Sequence, residues 1–174
     1  AAWGSAAGWI DKKSTKRRAQ RLRHVGRLYP PSNSSTMAVI LAHYSRVHLR
    51  RWLETPAARI AGVDFRELGP VEWWEELPKY RFLLAAPGSG IQTAKAIEAL
   101  LVLTVPIVQH LVFSTYHELV ARGFPIALVD RWAEVTPRSL SRWWAALSPR
   151  LEGFRRNCLT ADAYWRMYTG AVER

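Results

Sequence analysis

The sequence is poor in the residues that build disulfide-bonded or metal-bound scaffolds. Its 174 residues contain a single cysteine, Cys158, which excludes an intramolecular disulfide, and no CxxC or Cys/His set has the spacing of a zinc site. The aspartates are isolated, so there is no Asp-x-Asp motif for a metal ion. We therefore expect no metal or cofactor, a fold stabilised by apolar burial, and Cys158 buried as a small hydrophobe.

Long apolar runs are also missing. No run approaches the roughly 18–20 residues that a helix needs to cross a bilayer, and residues 1–20 lack the hydrophobic segment of a secretory signal. The chain begins Ala-Ala-Trp rather than with Met. This start predicts a fragment or a processed product of a longer protein.

Acidic residues are nearly absent from the first third of the chain. Residues 1–51 contain eleven basic residues against Asp11 alone, so they account for almost all of the net charge of +11. Such a basic segment could bind the phosphates of nucleic acid, anionic lipid headgroups, an acidic acceptor or a diphosphate. No RRM, KH, helix-turn-helix or zinc-finger signature accompanies it, and nucleic-acid binding therefore stays an alternative.

Strands and helices alternate at intervals of about 25 residues, which is typical of right-handed βαβ units. We predict an α/β fold, a doubly wound Rossmann-like parallel sheet with helices on both faces and a helical C-terminal tail. Its parts are a loose basic arm at 1–20, a Rossmann-like domain at 21–158 and a C-terminal helix at 159–174. Strands are expected at 22–28, 58–65, 80–86, 106–109 and 125–129. Helices are expected at 36–55, 70–77, 92–102, 115–122, 136–147, 148–156 and 160–168.

Two predicted βα turns could hold a ligand, because open α/β sheets bind ligands beyond the carboxyl ends of their strands. One is Gly26-Arg27, and the other runs from Pro87 to Gly90, before a helix with Lys95 and Glu98. Glycines let backbone amides approach an anion, and the start of a helix favours negative charge. Lys95 and Glu98 share a helical face, which suits a cation at phosphates and a carboxylate at a ribose hydroxyl. The alternative is a tight turn beside a solvated ion pair.

The stretch from Lys79 to Leu100, followed by Val105-Pro106-Ile107-Val108, resembles the donor-binding half of exostosin-like glycosyltransferases. That family has an aromatic strand, a Pro-x-Gly turn, a basic residue, Glu-Ala-Leu and a strand that contains proline. Glu98-Ala99 with Pro106 is the specific part of the match. With His24-Val-Gly-Arg27 as the earlier strand-plus-glycine element, the resemblance covers roughly residues 20–158.

The resemblance implies the C-terminal, Rossmann-like half of a GT-B glycosyltransferase. Such an enzyme takes a nucleotide-sugar as co-substrate, uses no metal here, and transfers the sugar to a glycan or glycoprotein acceptor. Glu98 would hold ribose or sugar hydroxyls, while Lys95 and the amides of Gly88, Ser89 and Gly90 would hold the diphosphate. Lys95 stands where the family has an arginine, which leaves a point charge in place of a planar fork.

The same resemblance implies a cellular location and a partner domain. The protein would be a membrane-anchored resident of the Golgi or another secretory lumen, with its anchor and its N-terminal GT-B half outside these 174 residues. The catalytic base stays unidentified. A non-catalytic remnant that keeps only the fold is a further alternative.

One histidine joins the candidate site. His110 follows the predicted strand 106–109 at the expected ligand edge, and it could meet His117 only through tertiary structure. Paired tryptophans on predicted helices are expected to place one ring in the core and its neighbour near the surface. The candidate donor-binding residues are Gly26, Arg27, Gly88, Ser89, Gly90, Lys95, Glu98 and His110.

Overall fold

The computed structural model describes residues 34–88, 94–111 and 115–169, and they form an α/β fold with a small parallel sheet among many helices. The strands are β1 (Phe82–Leu84), β2 (Val105–Gln109) and β3 (Ala127–Val129). The helices are α1 (Ser34–Leu53), α2 (Pro56–Ile60), α3 (Pro70–Glu76), α4 (Ala94–Leu101), α5 (Thr115–Ala121), α6 (Pro137–Cys158) and α7 (Ala161–Thr169), with 3-10 turns at Leu77–Lys79 and Trp132–Glu134. None of these described helices is long and apolar enough to span a bilayer.

The three strands are parallel and lie in the order β1-β2-β3. The register pairs Leu84 with Ile107 and Gln109 with Val129. All five residues of β2 are buried, as expected for a central parallel strand that is covered on both faces. The α/β class and the parallel sheet predicted from the sequence are therefore confirmed.

The two faces of the sheet carry different helices. Successive side chains of a strand point to opposite faces, so Phe82 and Gln109 lie on one face. There the Phe82 ring packs edge-on against Trp144 of α6, with 5.7 Å between ring centroids, and Gln109 contacts Ser45 of α1. Helix α4 connects β1 to β2, and α5 connects β2 to β3, so both crossovers lead to the next strand in the same direction along the sheet. Right-handed connections place them together on the opposite face.

A doubly wound sheet needs a reversal of strand order, and the described strands run in one direction only. The predicted strand at 22–28 and the predicted arm at 1–20 lie outside the described residues. The predicted strand at 58–65 is wrong, because α2 occupies most of its first half. Thr55 caps this helix by accepting a hydrogen bond from the Ala58 amide, and Pro56 is preorganised for its first turn.

Helix α1 is where the sequence predicts it. Its helical spacing predicts an apolar face of Ile40, Tyr44 and Val47, with Trp52 as a further candidate, and of these only Trp52 is buried. Ile40 and Tyr44 are exposed, whereas Ala42, Ser45 and Leu49 are fully buried. Small side chains at Ala42 and Ser45 let the helix backbone approach the fold closely, and this packing outweighs the apolar spacing of the larger residues. The core-facing side of α1 is therefore built on small residues at Ala42 and Ser45 and on large apolar ones at Leu49 and Trp52.

The two helices predicted at 136–147 and 148–156 form the single helix α6, with Pro149 inside it. An interior proline cannot donate to the carbonyl four residues back, here that of Ala145. Ala145 and Pro149 are both on the exposed side, where water can satisfy that carbonyl. The apolar stripe continues past the proline without a break in its helical spacing, through Leu140, Trp144, Leu147, Leu151 and Phe154.

The expectation that Cys158 is buried is wrong, because it is exposed at the end of α6. A helix of 22 residues is about 33 Å long, whereas strands of three to five residues span only about 10–17 Å. The end of α6 therefore projects past the sheet that covers its middle.

Among the paired tryptophans, Trp73 is buried and Trp74 exposed, as predicted, while Trp143 and Trp144 are both partly buried against the core.

Candidate functional site

The carboxyl ends of the three strands form one edge at which the turn after β1, the residue after β2 and the residue after β3 meet. Beyond β1, the Ala85 amide still donates to the Ile107 carbonyl at 2.8 Å, so the ladder continues toward the Pro87-Gly88 turn. Beyond β2, the His110 amide donates to the Val129 carbonyl at 2.7 Å. Extending the pairing of the strands past their ends places Pro87 opposite His110, and His110 opposite Asp130.

Lys95 lies in the first turn of α4, which begins after the turn that follows β1. Its partial burial lowers the pKa of its ammonium group to about 8, from the usual 10.5. Glu98 opposes this shift, and the positive charge of Arg46 adds to it. Lys95 is thus a cation in a poorly solvated position with a second cation within electrostatic range.

Glu98 is held by a tryptophan that the sequence did not associate with it. The indole Nε1 of Trp73 donates a 3.1 Å hydrogen bond to Glu98 Oε2, and Lys95 Nζ lies 5.4 Å from the centroid of the same ring. Trp73 is buried on α3, so it supports the inner side of both side chains. The predicted common face of Lys95 and Glu98 therefore exists, but it rests on an indole instead of lying free in solvent.

Arg46 reaches this edge because α1 is fastened there. Its neighbour Ser45 donates a buried 2.6 Å hydrogen bond to the side chain of Gln109, the last residue of β2. The indole of Trp132, just after β3, donates to the Ser45 carbonyl at 3.1 Å. Sequence reasoning missed Arg46, since its distance along the chain from Lys95 gives no periodic signal, and only tertiary structure brings the two together.

A second group of side chains lies at the ends of β2 and β3. His110 Nδ1 is 3.1 Å from Asp130 Oδ1, and the His110 and His117 rings meet edge to face with centroids 4.2 Å apart. His117 comes from α5, so three separate elements supply this group. The sequence singled out His110 and foresaw that His117 could meet it only through the fold, but it missed Asp130.

Of the remaining predicted site residues, the structure describes only one. Gly88 is placed in the turn after β1, whereas Gly26, Arg27, Ser89 and Gly90 lie outside the described residues. Within the described part of the chain, no group of three or more histidine, cysteine or acidic side chains could hold a metal ion. A small cavity on the α6 face is lined by apolar residues and includes none of the candidate site residues.

Comparison with known proteins gives no match: no family model, curated protein or solved structure is significantly similar to this chain.

Proposed function

We propose that this chain binds a nucleotide-sugar at the carboxyl edge of its sheet and is the donor-binding half of a GT-B glycosyltransferase. In this proposal the sheet belongs to a doubly wound Rossmann-like domain, and an N-terminal half completes the cleft. The sugar would pass to a glycan or glycoprotein acceptor in the Golgi or another secretory lumen. The resemblance carried by Glu98, Ala99 and Pro106 supports the enzyme class.

The observation that carries the binding site is the partly buried ammonium group of Lys95 within electrostatic range of Arg46. Burial is the main cause of the lowered pKa of Lys95, and repulsion by the positive charge of Arg46 adds to it. A bound diphosphate would offset that repulsion and would lie beside the turn at Gly88. Cations gathered at the start of a helix beyond a parallel strand are a usual arrangement for phosphate groups.

Glu98 supports the nucleoside part of the proposal. Its carboxylate accepts from Trp73 through Oε2. A carboxylate has about four lone-pair sites, so Glu98 can accept from a ribose hydroxyl while the indole keeps its orientation. A carboxylate one helical turn from the phosphate-binding lysine matches the size of a nucleotide.

The diphosphate site is tested by calorimetry with UDP and GDP on the whole chain. We expect saturable binding that weakens about tenfold or more in Lys95→Met and in Arg46→Met, because a hydrogen bond to a charged group contributes about 1.5–3 kcal/mol. Lys79→Met and Arg142→Met are matched controls at exposed positions and should bind like the wild type. Absence of saturable binding, or equal binding by all four variants, would refute the proposal.

The ribose contact is tested by comparing the binding of UDP with that of dUDP, which lacks the 2′-hydroxyl. The wild-type chain should bind UDP more tightly than dUDP, and Glu98→Gln should narrow this difference, since an amide accepts a hydroxyl proton less strongly than a carboxylate. Glu75→Gln, on the exposed side of α3, is the control. Equal preference for UDP in Glu98→Gln and the wild type would assign Glu98 to the Trp73 contact alone.

A second candidate function rests on the charge of the first 51 residues, eleven basic against one acidic. A nucleic-acid-binding module would show RNA affinity that falls steeply between about 50 and 200 mM salt through counterion release. Its affinity would not depend on Lys95. Tight, salt-dependent RNA binding without UDP or GDP binding would favour this function over the donor site.

A further inference from the structure

The proposed donor site contains no group assigned to proton transfer. The His110 group lies at the same edge and is not used by the diphosphate or ribose contacts. His110 is partly solvent-exposed, and its backbone is level with Pro87, beside the turn at Gly88. Any sugar attached to a diphosphate at that turn would lie near the ends of β1 and β2.

Asp130 decides which nitrogen of the neutral His110 ring can accept a proton. A carboxylate only accepts hydrogen bonds, so at 3.1 Å from Asp130 Oδ1 the Nδ1 atom carries the ring hydrogen. The lone pair is then on Nε2. The edge-to-face contact with His117 limits rotation of the ring, with centroids 4.2 Å apart.

We propose that His110 is the general base of glycosyl transfer and that Asp130 is its positioning residue. This inference rests on the proposed function, because it needs a bound nucleotide-sugar and an acceptor hydroxyl. In the described part of the chain, the titratable groups in contact with His110 are Asp130 on the β3 side and His117 from α5. No metal ion or redox partner enters the step.

The acceptor oxygen forms a bond to the anomeric carbon, and its proton passes to His110 Nε2. The bond between that carbon and the diphosphate oxygen breaks, and its electron pair leaves with the nucleoside diphosphate beside Lys95 and Arg46. The imidazolium is stabilised by Asp130 and returns its proton to water, to which His110 is partly exposed.

The test combines donor binding with turnover on the whole chain. Calorimetry with UDP-sugars and GDP-sugars identifies the donor, and release of UDP or GDP is then followed with water and with glycan acceptors. We expect His110→Ala to lower the rate by about 100-fold or more, the usual contribution of a general base, with unchanged donor affinity and partial rescue by added imidazole. His48→Ala, whose ring packs on Tyr44 of α1, is the matched control and should leave the rate unchanged.

Asp130→Asn separates positioning from catalysis. An amide can donate to Nδ1 and so favours the other tautomer, which removes the lone pair from Nε2. Nitrogen chemical shifts of labelled histidine should show Nδ1–H for His110 in the wild type and a shift toward Nε2–H in Asp130→Asn, with a lower rate and unchanged donor affinity.

The outcomes distinguish the two proposals. If no nucleotide-sugar binds, the proposed function fails. If a donor binds but His110→Ala turns over like the wild type, the inference about His110 is overturned while the donor site stands. An Nε2–H tautomer in the wild type also overturns it.

Discussion

Ser45 Oγ donates a 2.6 Å hydrogen bond to Gln109 Oε1, and both side chains are buried. Gln109 Nε2 in turn donates to the Asp130 carbonyl at 2.7 Å. These two bonds join α1, the end of β2 and the first residue after β3. The pair therefore sets the position of Arg46 on one side of the sheet edge and of the Asp130 backbone on the other.

Removing the Ser45 hydroxyl should destabilise this junction. In Ser45→Ala the Gln109 carbonyl oxygen loses its buried donor, which costs about 1–3 kcal/mol of unfolding free energy. Urea denaturation measures the loss, and Ser141→Ala on the exposed side of α6 is the control with an expected change under about 0.5 kcal/mol. If both variants unfold at the wild-type midpoint, the hydrogen bond does not fasten α1.

Replacing Lys95 should stabilise the fold at neutral pH, although the proposed function expects it to weaken nucleotide binding. The pKa of Lys95 is lowered to about 8 in the folded protein, from 10.5, so its charged form is unfavourable there. We expect Lys95→Met to raise the free energy of unfolding at pH 7 by about 1–2 kcal/mol.

The sign of the pH dependence follows from proton binding. Between about pH 8 and 10.5 the unfolded wild type holds more protons at Lys95 than the folded one, so wild-type stability rises with pH in this window. The advantage of Lys95→Met should therefore shrink from pH 8 to pH 10.5. Denaturation at pH 7 and pH 10 checks this, with Lys79→Met as control; an advantage that does not change with pH would contradict the assigned cause.

Replacing Pro149 should stabilise α6. Alanine restores the amide that donates to the Ala145 carbonyl and removes the ring clash, so we expect Pro149→Ala to gain about 1–3 kcal/mol. Pro137→Ala is the matched control in the same helix, because a proline in the first turn costs no intrahelical bond. Thermal unfolding should show a higher midpoint for Pro149→Ala alone. Equal midpoints would mean that α6 ends or bends at Pro149.

Cys158 should react in the native state. Because it is exposed at the end of α6, a disulfide reagent such as DTNB should label one thiol per chain at a similar rate with and without denaturant. Cys158→Ser removes the labelling and should leave the unfolding midpoint unchanged. A thiol that reacts only after unfolding would place Cys158 in the core.

Local signals in the sequence were sufficient for much of the fold. The helices predicted from 136 and 160 begin there: Thr136 with Pro137 starts α6, and the Thr160 hydroxyl accepts from the Ala163 amide at the start of α7. The continuous apolar run at Phe82–Leu84 is a buried strand. Such signals succeed because caps, prolines and apolar runs act over a few residues.

The errors arose where packing outweighs a local signal. Pro149 marks a helix start in sequence but lies inside α6, because the apolar stripe on either side of it continues in phase. Ile40 and Tyr44 have core-like spacing but are exposed, because the small residues of α1 allow the closer approach. In both cases the contacts that determine the structure are made with residues far away in the chain.

The sequence by itself determined the α/β class, the parallel strands and the common face of Lys95 and Glu98, since each depends on spacing along one segment. Only the tertiary structure decided that Arg46 lies near Lys95, that Trp73 holds Glu98, and that His110, His117 and Asp130 meet. These contacts join separate helices and strands, and their geometry is set by strand register and by buried hydrogen bonds such as that of Ser45 with Gln109. A central strand that is buried on both faces, such as β2, has no alternating pattern to specify the register, so the register is fixed when the core packs.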